Sequence, residues 1–534
     1  MEVSNCNTRR PRFLLVGPYD PHCGEYTFLA PPLGVWRLAG TLQAAGIDAE
    51  VFDPNCCGPD VEDALANALH SRDWDVVGVS TTGMTLRYDL ALAHQARKVL
   101  PHAIIVAGGM EATFKPERVF ELGPFDLVVL GEGEHPLLEI ARRLQSGADL
   151  AGIAGTALRT RAGAIARFHQ QAMTQPQLGT AIRATPYQQM PYERYWQRLE
   201  NVYEVGGLPY KAEREARLAE IRSVRLITLN YCPMGCSFCS STNFLHEAQG
   251  GIARIARLDV PECMDMLKRI VATHPQVRTV YFQDDIFVFT RDQRILPLCE
   301  EIVAAKARGE LPPDLGFIST NRIDSMSTER LRAMRRAGFR VLGFGIENFS
   351  AAVLKEFNKR QIHRHIEPVL ASALQLGITP FLDLILTSPG SMLEDLAQNV
   401  RHATRWLEAG CEVGVYPYVI PFSGSALAAD AELSDQTVYE TRTIPGTTVS
   451  WVDATKILPA DSQTRDAILQ IEERFEASCR GLAERVAHVP SRMRSVLWLK
   501  AAREILSEAK AVSERRRGRK PVMAPMLSGM TVAV

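Results

Sequence analysis

Three cysteines crowd one short run: Asn230-Tyr231-Cys232-Pro233-Met234-Gly235-Cys236-Ser237-Phe238-Cys239-Ser240. At C-x3-C-x2-C spacing, Cys232, Cys236 and Cys239 can hold three irons of a [4Fe–4S] cluster and leave the fourth open to a small ligand. Clusters that only carry electrons use four cysteines, so an open iron points to chemistry at the cluster itself. Zinc is a second reading. It takes a closed set of four ligands with paired spacings, which His246 or a distant cysteine would have to complete, and no second pair is visible. A loop without metal is the third. A disulfide framework fits poorly: the chain has 11 cysteines in 534 residues, an odd number. It starts Met-Glu-Val-Ser-Asn-Cys, without the basic region and apolar core of a secretory signal.

Such a loop needs a scaffold, and the pattern around it supplies one. From 223 to 435, short apolar runs at 224–229, 279–283, 315–319, 340–345, 380–386 and 412–416 alternate with helical patterns such as 261–271, 328–337 and 393–407. Strand–helix repeats of this kind predict a partial, open (β/α)6 barrel of TIM type, whose chemistry gathers at the strand C-terminal ends. The cysteines follow the first of those strands. Polar residues end others: Gln283-Asp284-Asp285, Ser319-Thr320-Asn321-Arg322 and Glu347-Asn348. Each alone reads as a helix cap or a surface loop. His363 and His365 sit in a basic stretch that reads as polar surface.

Residues 1–150 show the same alternation, with strands predicted at 12–16, 49–52, 75–80, 103–107 and 125–130 and helices between them. This predicts a doubly wound, Rossmann-like parallel sheet, with ligands beyond the carboxyl ends of its strands. The loops there carry small residues that let a backbone approach a large ligand: Gly78-Val79-Ser80-Thr81-Thr82-Gly83, Gly108-Gly109 and Gly131-Glu132-Gly133-Glu134. Residues 151–222, with prolines at 176, 186 and 191, read as a linker. Residues 436–534 read as a helical cap, from amphipathic patterns at 464–486 and 495–508, ending in the basic run 514–520.

The cysteine run resembles the signature of the radical S-adenosylmethionine (SAM) enzymes, C-x3-C-x-aromatic-C, with Phe238 in the aromatic slot. With the N-terminal sheet, residues 10 to 430 resemble the cobalamin (B12)-dependent class of that family. The resemblance implies a [4Fe–4S] cluster on Cys232, Cys236 and Cys239, with SAM chelating the open iron and yielding a 5′-deoxyadenosyl radical. It places Phe238, Ser319, Glu347 and Asp284 near SAM; Asp284 stands where many members carry Gly-Gly-Glu. It places Ser80, Thr82, Gly108, Gly109, Gly131, Glu132 and Gly133 around cobalamin. His22, in Asp20-Pro21-His22-Cys23-Gly24, nearly matches a cobalt-ligand motif, although a polar loop residue is the simpler reading.

The implied activity is methyl transfer to an unactivated carbon of a small molecule, fed by a flavodoxin- or ferredoxin-like electron donor. Cyclisation or oxidation by the same cofactors, and a non-enzymatic cobalamin or iron–sulfur sensor, are the alternatives. Net charge is −1, with 46% hydrophobic and 23% charged residues. That balance does not suggest nucleic acid. There is no apolar run long enough for a membrane span, so a cytoplasmic enzyme is expected.

Overall fold

The computed structural model describes residues 10–22, 30–58, 60–205, 221–431, 434–482, 486, 489 and 491–516. Cys23 and Gly24, the charged segment 212–220, part of the helix expected at 464–486, and the basic run from 517 lie outside these residues.

A mixed sheet and an all-parallel sheet make the body. The first contains β1 (Arg12–Val16), β2 (Asp48–Phe52), β3 (Val76–Ser80), β4 (Ile104–Gly108), β5 (Leu127–Val129), β6 (Thr156–Arg159) and β7 (Ile165–Phe168), in spatial order β2-β1-β3-β4-β5-β6-β7. Its first five strands are parallel, in the 2-1-3-4-5 order of doubly wound folds. Strand alternation divides the apolar residues between two faces. Phe13 and Leu15 pack with Val35 and Ala39 of the helix Leu33–Ala44 and with Leu137 and Ile140 of the helix Glu134–Ser146. Leu14 and Val16 pack on the other side with Leu65, Leu90 and Ala93. The antiparallel pair β6 and β7 extends the β5 edge. Both strands fall in the stretch predicted as linker, which also holds the helices Gln175–Ala184 and Tyr192–Val205.

The second sheet contains β8 (Ser223–Leu226), β9 (Thr279–Phe282), β10 (Gly316–Asn321), β11 (Phe339–Glu347), β12 (Thr379–Ile385) and β13 (Glu412–Tyr416) in consecutive order, every neighbour parallel. It is a barrel-like sheet with helices outside. Phe282, Phe287, Phe317 and Phe339 stack in that outer core, ring centroids 4.3–6.0 Å apart.

The C-terminal region is helical, as expected, with Phe475 stacked on Trp498 at 4.2 Å where the helices Ser462–Arg480 and Ser491–Arg516 meet. It opens, however, with a hairpin of β14 (Thr437–Thr443) and β15 (Ser450–Ile457). β-Branched and aromatic residues such as Val438, Tyr439, Thr441, Trp451, Val452 and Ile457 on either side of Ile444-Pro445-Gly446 favour it over helix. Ile444 at its tip is fully buried in the helix layer of the first sheet. No helix among the described residues is long and apolar enough to cross a membrane.

Phe339 is completely buried at the centre of the phenylalanine stack. Phe339→Ala should therefore lower unfolding free energy by about 3–5 kcal/mol, read as an earlier denaturant midpoint.

Candidate active site

The C-terminal edge of the first sheet faces the start of the second across a cavity of about 400 Å³. Its first wall is Ser80, Gly108, Gly109 and the loop 131–133; the second is Leu229 to Tyr231, Phe244 and the strand end Gln283-Asp284-Asp285. Small residues are required on the first wall. Gly109 sits at φ +97°, and an added Cβ would stand 2.6 Å from the Thr81 carbonyl oxygen. Gly131, at φ +70°, lies against the helix Ser241–Gln249; its Cβ would come 2.4 Å from Cβ of Ala248. The first wall thus touches the helix that leaves the cysteine loop.

That loop is clamped at several points. The Thr242 hydroxyl donates to the Cys232 carbonyl and accepts from Gly235 N–H, both at 2.9 Å. Asn358 Nδ2 donates to the Gly235 carbonyl at 2.8 Å, and Ser237 N–H donates to the Phe357 carbonyl at 3.0 Å. Asp284, 3% exposed, accepts from Thr228 N–H at 2.6 Å and Leu229 N–H at 2.9 Å, which fixes the chain just ahead of the cysteines. Burial pushes its carboxyl up to about 6 while Arg294 and these donors pull it down. All three thiols are free and partly exposed. Burial pushes Cys232 up to about 12 and raises Cys236 and Cys239; Lys359 works against the rise at Cys236.

Lys359 belongs to a second polar group. Its Nζ donates to Glu347 Oε1 at 2.7 Å, with both side chains at most 10% exposed. Burial disfavours the ammonium, but Glu347 and Cys236 together outweigh it and the pKa is raised. Glu347 has φ +62°, a conformation rare outside glycine and held here by a register shift between β11 and β12. Asp383 on β12 is level with Gly345 on one side and Gly414 on the other. Burial, then the Glu347 charge, pushes its carboxyl up to about 7.

Residues 21–141 match the B12 binding domain family, and residues 226–403 match the Radical SAM superfamily. The chain belongs to the cobalamin-dependent radical SAM enzymes. An uncharacterized methyltransferase of Pyrococcus horikoshii is 22% identical over 398 residues, 74% of this chain and 77% of its own length. The anaerobic magnesium-protoporphyrin IX monomethyl ester cyclase of Rubrivivax gelatinosus is 23% identical over 408 residues, 74% of this chain and 66% of the cyclase. The radical S-adenosylmethionine methyltransferase TsrM from Kitasatospora setae, solved with cobalamin and a [4Fe–4S] cluster, shares the fold at TM-score 0.66 and 15% identity, over 94% of this chain and all of TsrM. So does the cobalamin-dependent S-adenosylmethionine radical enzyme OxsB with aqua-cobalamin, at TM-score 0.63 and 16% identity, over 95% of this chain and 75% of OxsB.

The cofactors of these radical SAM enzymes are a [4Fe–4S] cluster, SAM and cobalamin, and the donor groups fit them. Three free thiols on one clamped loop suit a cluster, which takes one iron per thiolate. A glycine-floored cavity beyond the strand ends suits a large ligand that the backbone must approach.

The structure brings Ser80, Gly108, Gly109, Gly131, Glu132, Gly133 and Asp284 to the cavity. It takes others away. Ser319 shares strand parity with Phe317, so it faces the outer helices, fully buried, and its hydroxyl accepts from Asn321 Nδ2 at 3.0 Å. Thr320 is the β10 residue of the opposite face, 3.1 Å from the Tyr281 hydroxyl. Phe238 packs edge-on against Phe357 at 5.1 Å in a side core, and the Thr82 hydroxyl is engaged by Thr85 at 2.7 Å. The His22 ring is 3.1 Å from the Tyr88 hydroxyl, and it is not part of the cavity wall. His246, weighed as a zinc ligand, meets the Tyr231 hydroxyl at 2.6 Å. Lys359 and Asp383 were missed; a charged residue in the middle of an apolar strand, as at Asp383, was the available signal.

Asp284→Ala should loosen the loop ahead of Cys232. Each charge-assisted bond lost costs about 1.5–3 kcal/mol, so thermal unfolding should come earlier and reconstituted protein should retain less iron than wild type. Gly131→Val, with φ +70° and the contact to Ala248, should likewise lower the melting temperature.

Proposed function

We propose that this chain is a methyltransferase acting on an unactivated carbon of a small-molecule substrate. The observation that carries the reading is the shared space: the glycine-lined edge of the first sheet opens onto the strand ends of the second and onto Tyr231 and Ser241, the residues on either side of the cysteine run. A substrate there would meet both cofactors, and holding reactants in one geometry is itself a large part of such catalysis. The methyltransferase and TsrM likenesses support the same reading.

In this proposal Cys232, Cys236 and Cys239 hold the cluster, and Asp284 and Thr242 hold the loop that carries them. Lys359, buried beside Cys236, offers a cation to the SAM carboxylate, while Glu347 and Asp383 offer acceptors to its amino group or hydroxyls. Ser80, Gly108, Gly109 and Gly131-Glu132-Gly133 line the cobalamin site. When bound, the cluster and SAM supply a 5′-deoxyadenosyl radical and cobalamin supplies a methyl carrier. The apolar residues Leu229, Phe244 and Leu245 exclude water between the two sides. An external flavodoxin- or ferredoxin-like donor provides the electron. The likeness to the cyclase keeps a second reading, cyclisation or oxidation without methyl transfer.

Anaerobic reconstitution with iron, sulfide and hydroxocobalamin, followed by reduction and SAM, tests both. S-adenosylhomocysteine formed beside 5′-deoxyadenosine is the expected outcome; 5′-deoxyadenosine alone would turn the assignment to cyclisation. Cys236→Ala should lose iron and form no 5′-deoxyadenosine.

A further inference from the structure

The cavity wall holds a buried carboxylate with acceptor capacity to spare. Glu132 lines the cavity and is 8% exposed. Its Oε2 accepts from Met173 N–H at 2.9 Å, and the Asn230 side-chain amide is the other donor toward this carboxylate, while Oε1 is buried without a hydrogen bond of its own within 3.5 Å. Two residues on, Glu134 is 6% exposed; its Oε1 accepts from Arg37 Nε, and its Oε2 is also without a partner. Arg37 pairs with Glu134, and its charge also acts on Glu132. Burial and the Glu134 charge push the Glu132 carboxyl up, while Met173, Arg37 and the Asn230 amide pull it down.

A buried acceptor left without a donor is costly, and a ligand that brings the donor removes the cost. The excess of acceptors also repels an anionic group at this end of the cavity. What fits is an N–H donor without negative charge, and cobalamin carries primary amides around its ring. We propose that Glu132 Oε1 accepts an N–H from one of these peripheral amides and thereby selects the amide over the corresponding acid. The proposal rests on the assignment of the cavity to cobalamin.

Full-length protein carrying its cluster but free of corrin is titrated with hydroxocobalamin and with its monocarboxylic acids, each having one amide hydrolysed. Binding is followed by corrin absorption. Wild type should bind at least one monoacid tenfold or more weakly than hydroxocobalamin, about 1.4 kcal/mol. Glu132→Ala should weaken hydroxocobalamin binding about tenfold, and the near-isosteric Glu132→Gln should narrow the amide–acid gap. Iron content and cluster absorption should match wild type in both variants, which separates a lost contact from a lost fold. Hydroxocobalamin binding by Glu132→Ala within twofold of wild type, or an amide–acid gap unchanged in Glu132→Gln, overturns the role of Glu132 alone. A wild-type protein that holds its cluster but takes up no corrin overturns the cavity assignment, and Glu132 with it.

Discussion

Parallel pairing is the constraint on which this molecule turns. Parallel strands all end at one edge, and the return crossovers leave that edge as loops. In both sheets the residues able to do chemistry therefore gather at one side without further arrangement. Gly108-Gly109 and Gly131-Glu132-Gly133 end β4 and β5, and the cysteine loop and Asp284 follow β8 and β9. Facing the two edges toward each other is enough to make one cavity from two independent folds.

The price of that arrangement is buried charge. Asp284, with the Arg294 charge acting on it, and the pairs Glu347 with Lys359 and Glu134 with Arg37 all sit where water is scarce. Such pairs seldom stabilise a fold more than well-packed apolar side chains would. Their positions give them another use: one braces the backbone ahead of the cysteines, one stands beside Cys236, and one borders the cavity.

Much of this was legible in the sequence because it rests on periodicity and spacing. The strands from Arg12 to Tyr416 announce themselves as apolar runs between helical patterns, and the three cysteines by their intervals. What was hidden depends on facing and partnership. Ser319 and Thr320 are neighbours on one strand, and only the register decides which of them looks inward. Asp284 has the look of a ligand residue, yet its oxygens are committed to Thr228 and Leu229. Lys359 lies in a basic stretch that reads as surface, but the positive φ of Glu347 and the register shift beside it bring the two side chains together. Strands β6 and β7 are short, and prolines downstream of them made the segment resemble a connector.

The hairpin tip carries a consequence for how the molecule is assembled. Ile444 lies in the helix layer of the first sheet, and Asp453 accepts from Arg118 at 2.9 Å across 335 positions of chain. During synthesis the first sheet can close long before its clasp exists. The contact from Arg118 to Asp453 is added only once residue 453 has been made, and closing so long a loop adds little entropic cost beyond a shorter one. A product truncated before the hairpin would carry the residues of both sheets and every proposed ligand residue, yet lack this contact and the C-terminal helices that complete the core of the second sheet.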